Sequence, residues 1–343
     1  MTVPSGHEFR QDRLTRTWVA CAPSRSDRPK KTTDAPGSSA PPSDTPVEGC
    51  PFCPGHEDQL PEVLWERAAD ADRPWRTRAV PNKFSALTAD AAPASEDDGL
   101  YRTRRPHGRQ EVIIDTPFHH EDLPAMSPDQ VDALLATYLA RYRTLRAAAP
   151  TLYPFVFRNH GGRAGASIPH PHSQIIATDF PPPAIEREET AARVRYEDTG
   201  HCPYCEMIAR ETDAAERLVW ANEHVVMFVP FAARLPYELW ILPRRHEPEV
   251  ERISAAERTA LGRALQYAAR RYKTRLGDPA YNYFVRTALA YRSDAPHLHW
   301  SVRVQPRTSR QAGFELSTEV RINPSLPERD AAVLRGDDAA SAP

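Results

Sequence analysis

Cys202-Pro203-Tyr204-Cys205 repeats the pattern of Cys50-Pro51-Phe52-Cys53, and this repetition decides how the chain is read. After the first pair come a strand, Glu111-Val112-Ile113-Ile114, then His119-His120, a helix, a strand over 153–157, a glycine-rich loop and His170-Pro171-His172. After the second come strands over 225–229 and 238–242, then His246, a helix, a strand over 281–285, a loop and His297-Leu298-His299. The order of parts is the same in both. Two copies of one α+β unit is the simplest reading, each an antiparallel sheet with a packed helix. The expected divisions are 1–195, 196–330 and a frayed tail over 331–343.

Local signals support the two central helices. Ser127-Pro128 supplies an N-cap hydroxyl and a proline in the first turn. Val131, Leu134, Leu135, Tyr138, Tyr142 and Leu145 then recur at helical spacing. Ser254 and Glu257 form a capping box, Leu261, Leu265, Ala268, Tyr272 and Leu276 mark the buried face, and Gly277 stops the helix. A charged helix over 184–196 follows Pro181-Pro182-Pro183. The stretch 31–48, rich in Pro, Ser, Thr and Asp, has little to bury and reads as flexible.

Composition bounds the function. The 343 residues suit two units, and 40% hydrophobic residues suffice for real cores. A net charge of -2 gives no global attraction to nucleic acid or to anionic membrane. No apolar run is long enough to span a bilayer, and the N-terminus does not read as a signal peptide, so a cytoplasmic protein is expected. Of the five cysteines, four form the two pairs, and Cys21 reads as a small buried hydrophobe.

In a reducing compartment such pairs are metal ligands or redox pairs, and no thioredoxin-like context accompanies them. Two thiolates and two imidazoles per half suit tetrahedral Zn²⁺. The expected sets are Cys50, Cys53, His119 and His170, and Cys202, Cys205, His246 and His299. Spacing alone leaves His120 competing with His119, and His297 with His299.

The second centre of interest is Ser167-Ile168-Pro169-His170-Pro171-His172-Ser173-Gln174-Ile175. On a strand, His170 and His172 share a face, and the prolines stiffen their backbone. With His170 on a metal, His172 stays free to attack the α-phosphorus of a nucleotide, splitting one transfer into two steps. Ser167, Gln174 and Asn159 are neutral donors for phosphate oxygens, and the loop Asn159-His160-Gly161-Gly162-Arg163-Ala164-Gly165 lets bare backbone approach an anion. Arg25 and Arg28 lie in an early loop suited to phosphate contact. A non-enzymatic zinc module would share the cysteine pairs, but no basic, aromatic-rich stripe suggests nucleic acid.

The run Ser-x-x-His-Pro-His-x-Gln resembles the active-site motif of galactose-1-phosphate uridylyltransferases, in the histidine-triad superfamily. The resemblance spans roughly residues 8 to 327 and takes in Arg25, Arg28, the Cys50/Cys53 pair, His119, Asn159, Ser167, His170, His172 and Gln174. It implies two histidine-triad-like halves, His172 as nucleophile, His170 as a zinc ligand, and Ser167 and Gln174 on the transferred phosphoryl group. It also implies nucleotide contacts at Asn82 and Phe84, sugar contact at Glu319, and a homodimer with shared active sites. The substrates implied are a nucleotide sugar with a sugar 1-phosphate, or phosphate, as acceptor. Well-known bacterial members build an iron-type site from one Glu and three His. Here Glu188, His297 and His299 match, but Arg286-Thr287 lies near the fourth position. The second C-x-x-C resembles instead the branch containing plant ADP-glucose phosphorylase.

Overall fold

The structure, a computed structural model, describes residues 7–27, 46–68, 73–89, 94–149, 151–289 and 294–337. The chain begins with β1 (Glu8–Gln11) and β2 (Trp18–Cys21). The first half then runs β3 (Trp65–Arg67), β4 (Thr77–Pro81), a hairpin of β5 (Ser95–Asp97) and β6 (Arg102–Arg104), β7 (Gly108–Ile114), α1 (Pro128–Ala148), β8 (Tyr153–His160) and β9 (His172–Thr178). The second half comprises α2 (Pro183–Thr199), α3 (Pro203–Ala214), β10 (Leu218–Ala221), β11 (Val225–Phe228), β12 (Leu239–Pro243), α4 (Ala255–Leu276), β13 (Tyr281–Arg286) and β14 (Ser301–Pro306). α5 (Gly313–Thr318), β15 (Arg321–Asn323) and α6 (Pro327–Arg335) close the chain.

Ten strands form one sheet in the order β10-β11-β12-β14-β13-β8-β9-β7-β4-β3. Outward from the centre, each half follows the same path: the strand after the long helix, the next strand, then the three earlier strands in reverse. The halves meet where β13 pairs antiparallel with β8, Tyr281 opposite His160 and Phe284 opposite Phe157. This is the internal duplication of an α+β unit, closed by a pseudo-twofold at the seam.

Both long helices lie on one face of the sheet. Their caps form as the sequence signals: Ser127 accepts from the Gln130 N–H, and Ser254 and Glu257 make a reciprocal box. Leu134 of α1 and Tyr272 of α4 join Ile113, Ile175 and Val302 in one continuous core. Each such buried side chain contributes about 1.5–3 kcal/mol. Gly262 lets α4 approach α1, since a β-carbon there would sit 3.2 Å from Val131 Cγ1.

Strand alternation sends Ile175 and Ala177 toward the helices and His172 and Gln174 to the other face. In the second half α2 and α3 cover that other face, packing Tyr204 and Ile208 with Val226, Phe228 and Trp240.

The C-terminal expectation needs correction. α6 is an ordered helix, with Ala331 and Leu334 fully buried in the main core and Asp330 accepting the Tyr237 N–H. Its apolar residues lie one turn apart, a signal masked by the surrounding charge. Residues 338–343 lie outside the described residues, as do 31–45 of the stretch read as flexible. Val47, at the far end of that stretch, is placed and packs beside the first cysteine pair.

Candidate active site

Three segments bring the first group together. Cys50 and Cys53 lie in a turn before β3, His119 follows β7, and His170 precedes β9. All four side chains are buried. His170 Nδ1 is 3.6 Å from both sulfurs, and His119 Nδ1 is 3.4 Å from Cys53 Sγ. A tetrahedral divalent ion with thiolate bonds of about 2.3 Å and imidazole bonds of about 2.0 Å would space sulfur and nitrogen about 3.5 Å apart. The far ring atom of His170, Nε2, donates to the Thr116 carbonyl at 2.8 Å, which turns the Nδ1 lone pair toward the sulfurs. Burial pushes His170 down to about 4, keeping it neutral and able to ligate.

The second group mirrors the first. Cys205 Sγ lies 3.4 Å from His246 Nδ1 and 3.9 Å from His299 Nδ1, and His299 Nε2 donates to the Pro243 carbonyl at 3.0 Å. Within each group the ligand atoms all lie within 4.8 Å of one another, so each group can hold a metal ion. The structure selects His119 over His120 and His299 over His297. Locally the pairs differ: Cys50 and Cys53 sit in a turn, whereas Cys202 caps α3.

His172 opens β9 beside the first group. Its Nδ1 lies 2.9 Å from the His170 carbonyl oxygen, which can only accept, so Nδ1 carries the proton and Nε2 the free lone pair. Burial lowers its pKa from 6.5, so the ring is neutral near pH 7. Phe52 packs edge-on against both histidine rings, at 5.9 and 5.5 Å between centroids.

Behind β9 runs a buried polar chain that no sequence signal marks. Ser173 donates to Asp115 at 2.8 Å, and Arg158 binds Asp115 at 2.7 Å and Asp122 at 2.5 Å. Tyr138 joins Ser173 to Tyr283 at 2.5 and 2.6 Å. Asp115 follows the β7 strand directly, and only its zero exposure marks it out.

The shared order of parts does not carry a second counterpart of His172. When ligands are matched in order, Cys202, Cys205, His246 and His299 fall on Cys50, Cys53, His119 and His170. Ser301 then takes the place of His172, and Arg303 that of Gln174. Arg303 is bound by Glu188 of α2, with one contact at 3.1 Å, and Glu188 also accepts from Tyr204 at 2.8 Å. Glu188 is thus satisfied by protein donors while His299 belongs to the cysteine group, so the iron-type set is not assembled. The second half keeps a Cys₂His₂ group but has no histidine at the position matching His172.

A family model described as galactose-1-phosphate uridyl transferase, N-terminal domain, matches residues 3–182. The chain belongs to this family. A further model, a domain of unknown function, matches residues 124–334. The ADP-glucose phosphorylase of Arabidopsis thaliana is 32% identical over 332 residues, 96% of this chain and 92% of the relative. A galactose-1-phosphate uridylyltransferase of Thermotoga maritima is 31% identical over 338 residues, 96% of this chain and 98% of the relative. A crystal structure of the Arabidopsis ADP-glucose phosphorylase with bound ADP-glucose superposes with a TM-score of 0.82 at 29% identity, covering 98% of this chain and all of that one.

For this uridylyl transferase family member, the remaining motif positions divide in two. Near His172, Asn82 lies 3.5 Å from Gln174 across the sheet, Phe84 is 86% exposed beside it, and Asn159 is the last residue but one of β8. Asn159 accepts from Asn282 at 2.7 Å and donates to Gly165, and Ser167 is exposed in the loop leading to β9. The glycine loop is shorter than expected, because Asn159 and His160 belong to the strand. Gly161 and Gly165 take positive φ, and at Gly161 a β-carbon would press on Ala280.

The other group sits on a separate three-stranded sheet of β1, β2 and β15. Arg25 is exposed on the turn after β2, Glu319 is exposed at the end of α5, and Arg28 lies outside the described residues.

Proposed function

We propose that this protein is a nucleotidyltransferase working through a covalent His172 intermediate, with a nucleotide sugar as donor and a hexose 1-phosphate as acceptor. The observation that carries the reading is the His172–His170 contact, which leaves a neutral imidazole with Nε2 free. In the first step Nε2 attacks the α-phosphorus and a P–N bond forms. The P–O bond to the sugar phosphate breaks, and the leaving oxygen keeps its electron pair. Positive charge on the ring is held by the Nδ1–H donated to the His170 carbonyl. In the second step an acceptor phosphate oxygen attacks phosphorus and the P–N pair returns to Nε2. The NH₂ of Gln174, with Ser167 and Asn159, would face the phosphoryl oxygens as charge develops.

Both Cys₂His₂ groups suit zinc, and four protein ligands leave no open coordination position. Bound there, zinc would supply structural anchoring, fixing His170 and through it the nucleophile. The main reading takes UDP-glucose as donor and galactose 1-phosphate as acceptor. The second takes ADP-glucose with phosphate as acceptor, favoured by the full-length likeness to the Arabidopsis enzyme.

Arg25 and Glu319 would meet substrate in a homodimer, where the small sheet of one subunit reaches the His172 of its partner. Exposed Trp18, Phe314 and Leu316 around that sheet support this arrangement. No described helix is long and apolar enough to cross a membrane. The thiol pairs suit the reducing cytoplasm. The test is incubation with nucleoside-labelled UDP-glucose and ADP-glucose. A labelled protein that releases label to one acceptor is expected, and absence of any adduct from both donors overturns the reading.

A further inference from the structure

Gln174 faces the same side of the sheet as His172, and its side-chain oxygen is claimed twice. Gln110 Nε2 lies 3.0 Å from Gln174 Oε1, and Asn82 Nδ2 lies 3.5 Å from the same atom. An amide can be turned either way, so the polarity of such contacts must be fixed by a group that has no choice. The structure holds two such groups. The main-chain N–H of Ala86 lies 3.3 Å from Gln110 Oε1, and that of Phe84 lies 2.9 Å from Asn82 Oδ1. A main-chain N–H only donates. Hence Gln110 and Asn82 each accept with oxygen and present NH₂ to Gln174. Gln174 must accept with Oε1, and its own NH₂ points away from both.

No described residue takes the amide nitrogen of Gln174, and the side chain is half-buried. A phosphoryl oxygen is the partner that suits it, whereas Oε1 in that place would repel the same anion.

We infer that these contacts form two amide relays that lock Gln174 with its NH₂ toward the transferred phosphoryl group, making Gln110 a positioning residue for the reaction. The inference rests on the proposed His172 chemistry. Both relays start in the loop 82–86, which also carries the exposed Phe84. Nucleotide binding at that loop and the orientation of Gln174 are therefore coupled. Gln110 reaches Gln174 diagonally, since β7 sets Gln110 opposite Ile176 and Val112 opposite Gln174.

The test compares single-turnover labelling of His172 by UDP-glucose and ADP-glucose in wild type, Gln110→Glu and Gln110→Leu. A carboxylate at 110 only accepts, so it turns Gln174 around. Labelling by Q110E should slow about 100-fold with half-saturation little changed, as for loss of an oxyanion donor. Q110L should lose about tenfold, because the Asn82 relay survives. On acidification toward about pH 4.3, the ordinary glutamate value, about half of the carboxylate introduced by Q110E gains a proton. Its O–H can then donate to Gln174 while its carbonyl accepts from Ala86, so the deficit relative to wild type at equal pH should shrink. A merely structural role would hurt more in Q110L and show no such recovery.

Q110E labelling within about twofold of wild type, a pH-independent deficit, or Q110L being the worse variant overturns the relay. Should Q110E not fold, Q110L combined with Gln174→Leu decides. A relay adds less than about twofold to the Q174L loss, and a larger addition overturns it. If wild type labels with neither donor, the functional reading fails and the relay falls with it. If wild type labels normally and Q110E matches it, only the relay falls.

Discussion

The Nδ1 of His172 lies 2.9 Å from the main-chain oxygen of His170, whose own ring faces Cys50 and Cys53. His170 therefore ties the His172 ring, through its main-chain oxygen, to the Cys50/Cys53 group.

Replacing His172 by Gly should remove the chemistry and spare the scaffold. Adduct formation should fall by about 10⁴-fold or more, while bound metal and melting temperature stay near wild type. Mass spectrometry of the adduct and metal analysis of the same sample check this, and parallel loss of metal would contradict the assigned roles.

Metal-group variants should differ between the halves. Cys50→Ser should lose one metal equivalent and, with it, the placement of His170 and most adduct formation. Cys205→Ser should also lose one equivalent and lower the melting temperature, yet label within about tenfold of wild type, because no nucleophile hangs from His299. Equal catalytic loss in both would show that the second half carries chemistry after all.

The pH profile should reflect the buried, neutral His172. Its folded pKa is lowered from 6.5, so nucleophilic imidazole persists below that value and the acid limb of labelling should lie under pH 6.5. The linkage has a matching sign. Below 6.5 the unfolded ring binds a proton that the folded one refuses, so this group's contribution to stability is present above 6.5 and lost on acidification.

His160 should behave oppositely. Burial disfavours charge on its ring, which stacks on Tyr281, but hydrogen bonds to Asp122 and Asp278 outweigh burial and raise its pKa to about 9. Its contribution is present below 6.5 and lost as pH rises through about 9. Denaturant melts across this range should show a slope that His160→Asn removes.

Breaking the Glu188–Arg303 pair from one side should be severe. Both groups are buried, at 5% and 2% exposure. Glu188→Ala should destabilise by about 3–5 kcal/mol by leaving Arg303 uncompensated. Glu188→Ala with Arg303→Met should recover much of that, and urea unfolding of single and double variants measures the difference.

By itself the sequence determined the duplicated plan, both long helices with their caps, the α+β class and, for the two metal-type groups, the four cysteines with His170 and His246. These signals are local or repeated: caps and helical periodicity act within a few residues, and a C-x-x-C pair declares itself. Tertiary structure decided which histidine of each neighbouring pair faces the cysteines, that His299 and not His297 matches His170, and that Ser301 therefore stands where the first half has His172. It alone brought Asp115, Arg158 and Ser173 together, placed α6 in the core and aligned Gln110 with Gln174. Such facts depend on strand register and on which face a helix covers, and both are set by long-range pairing that no short window of sequence contains.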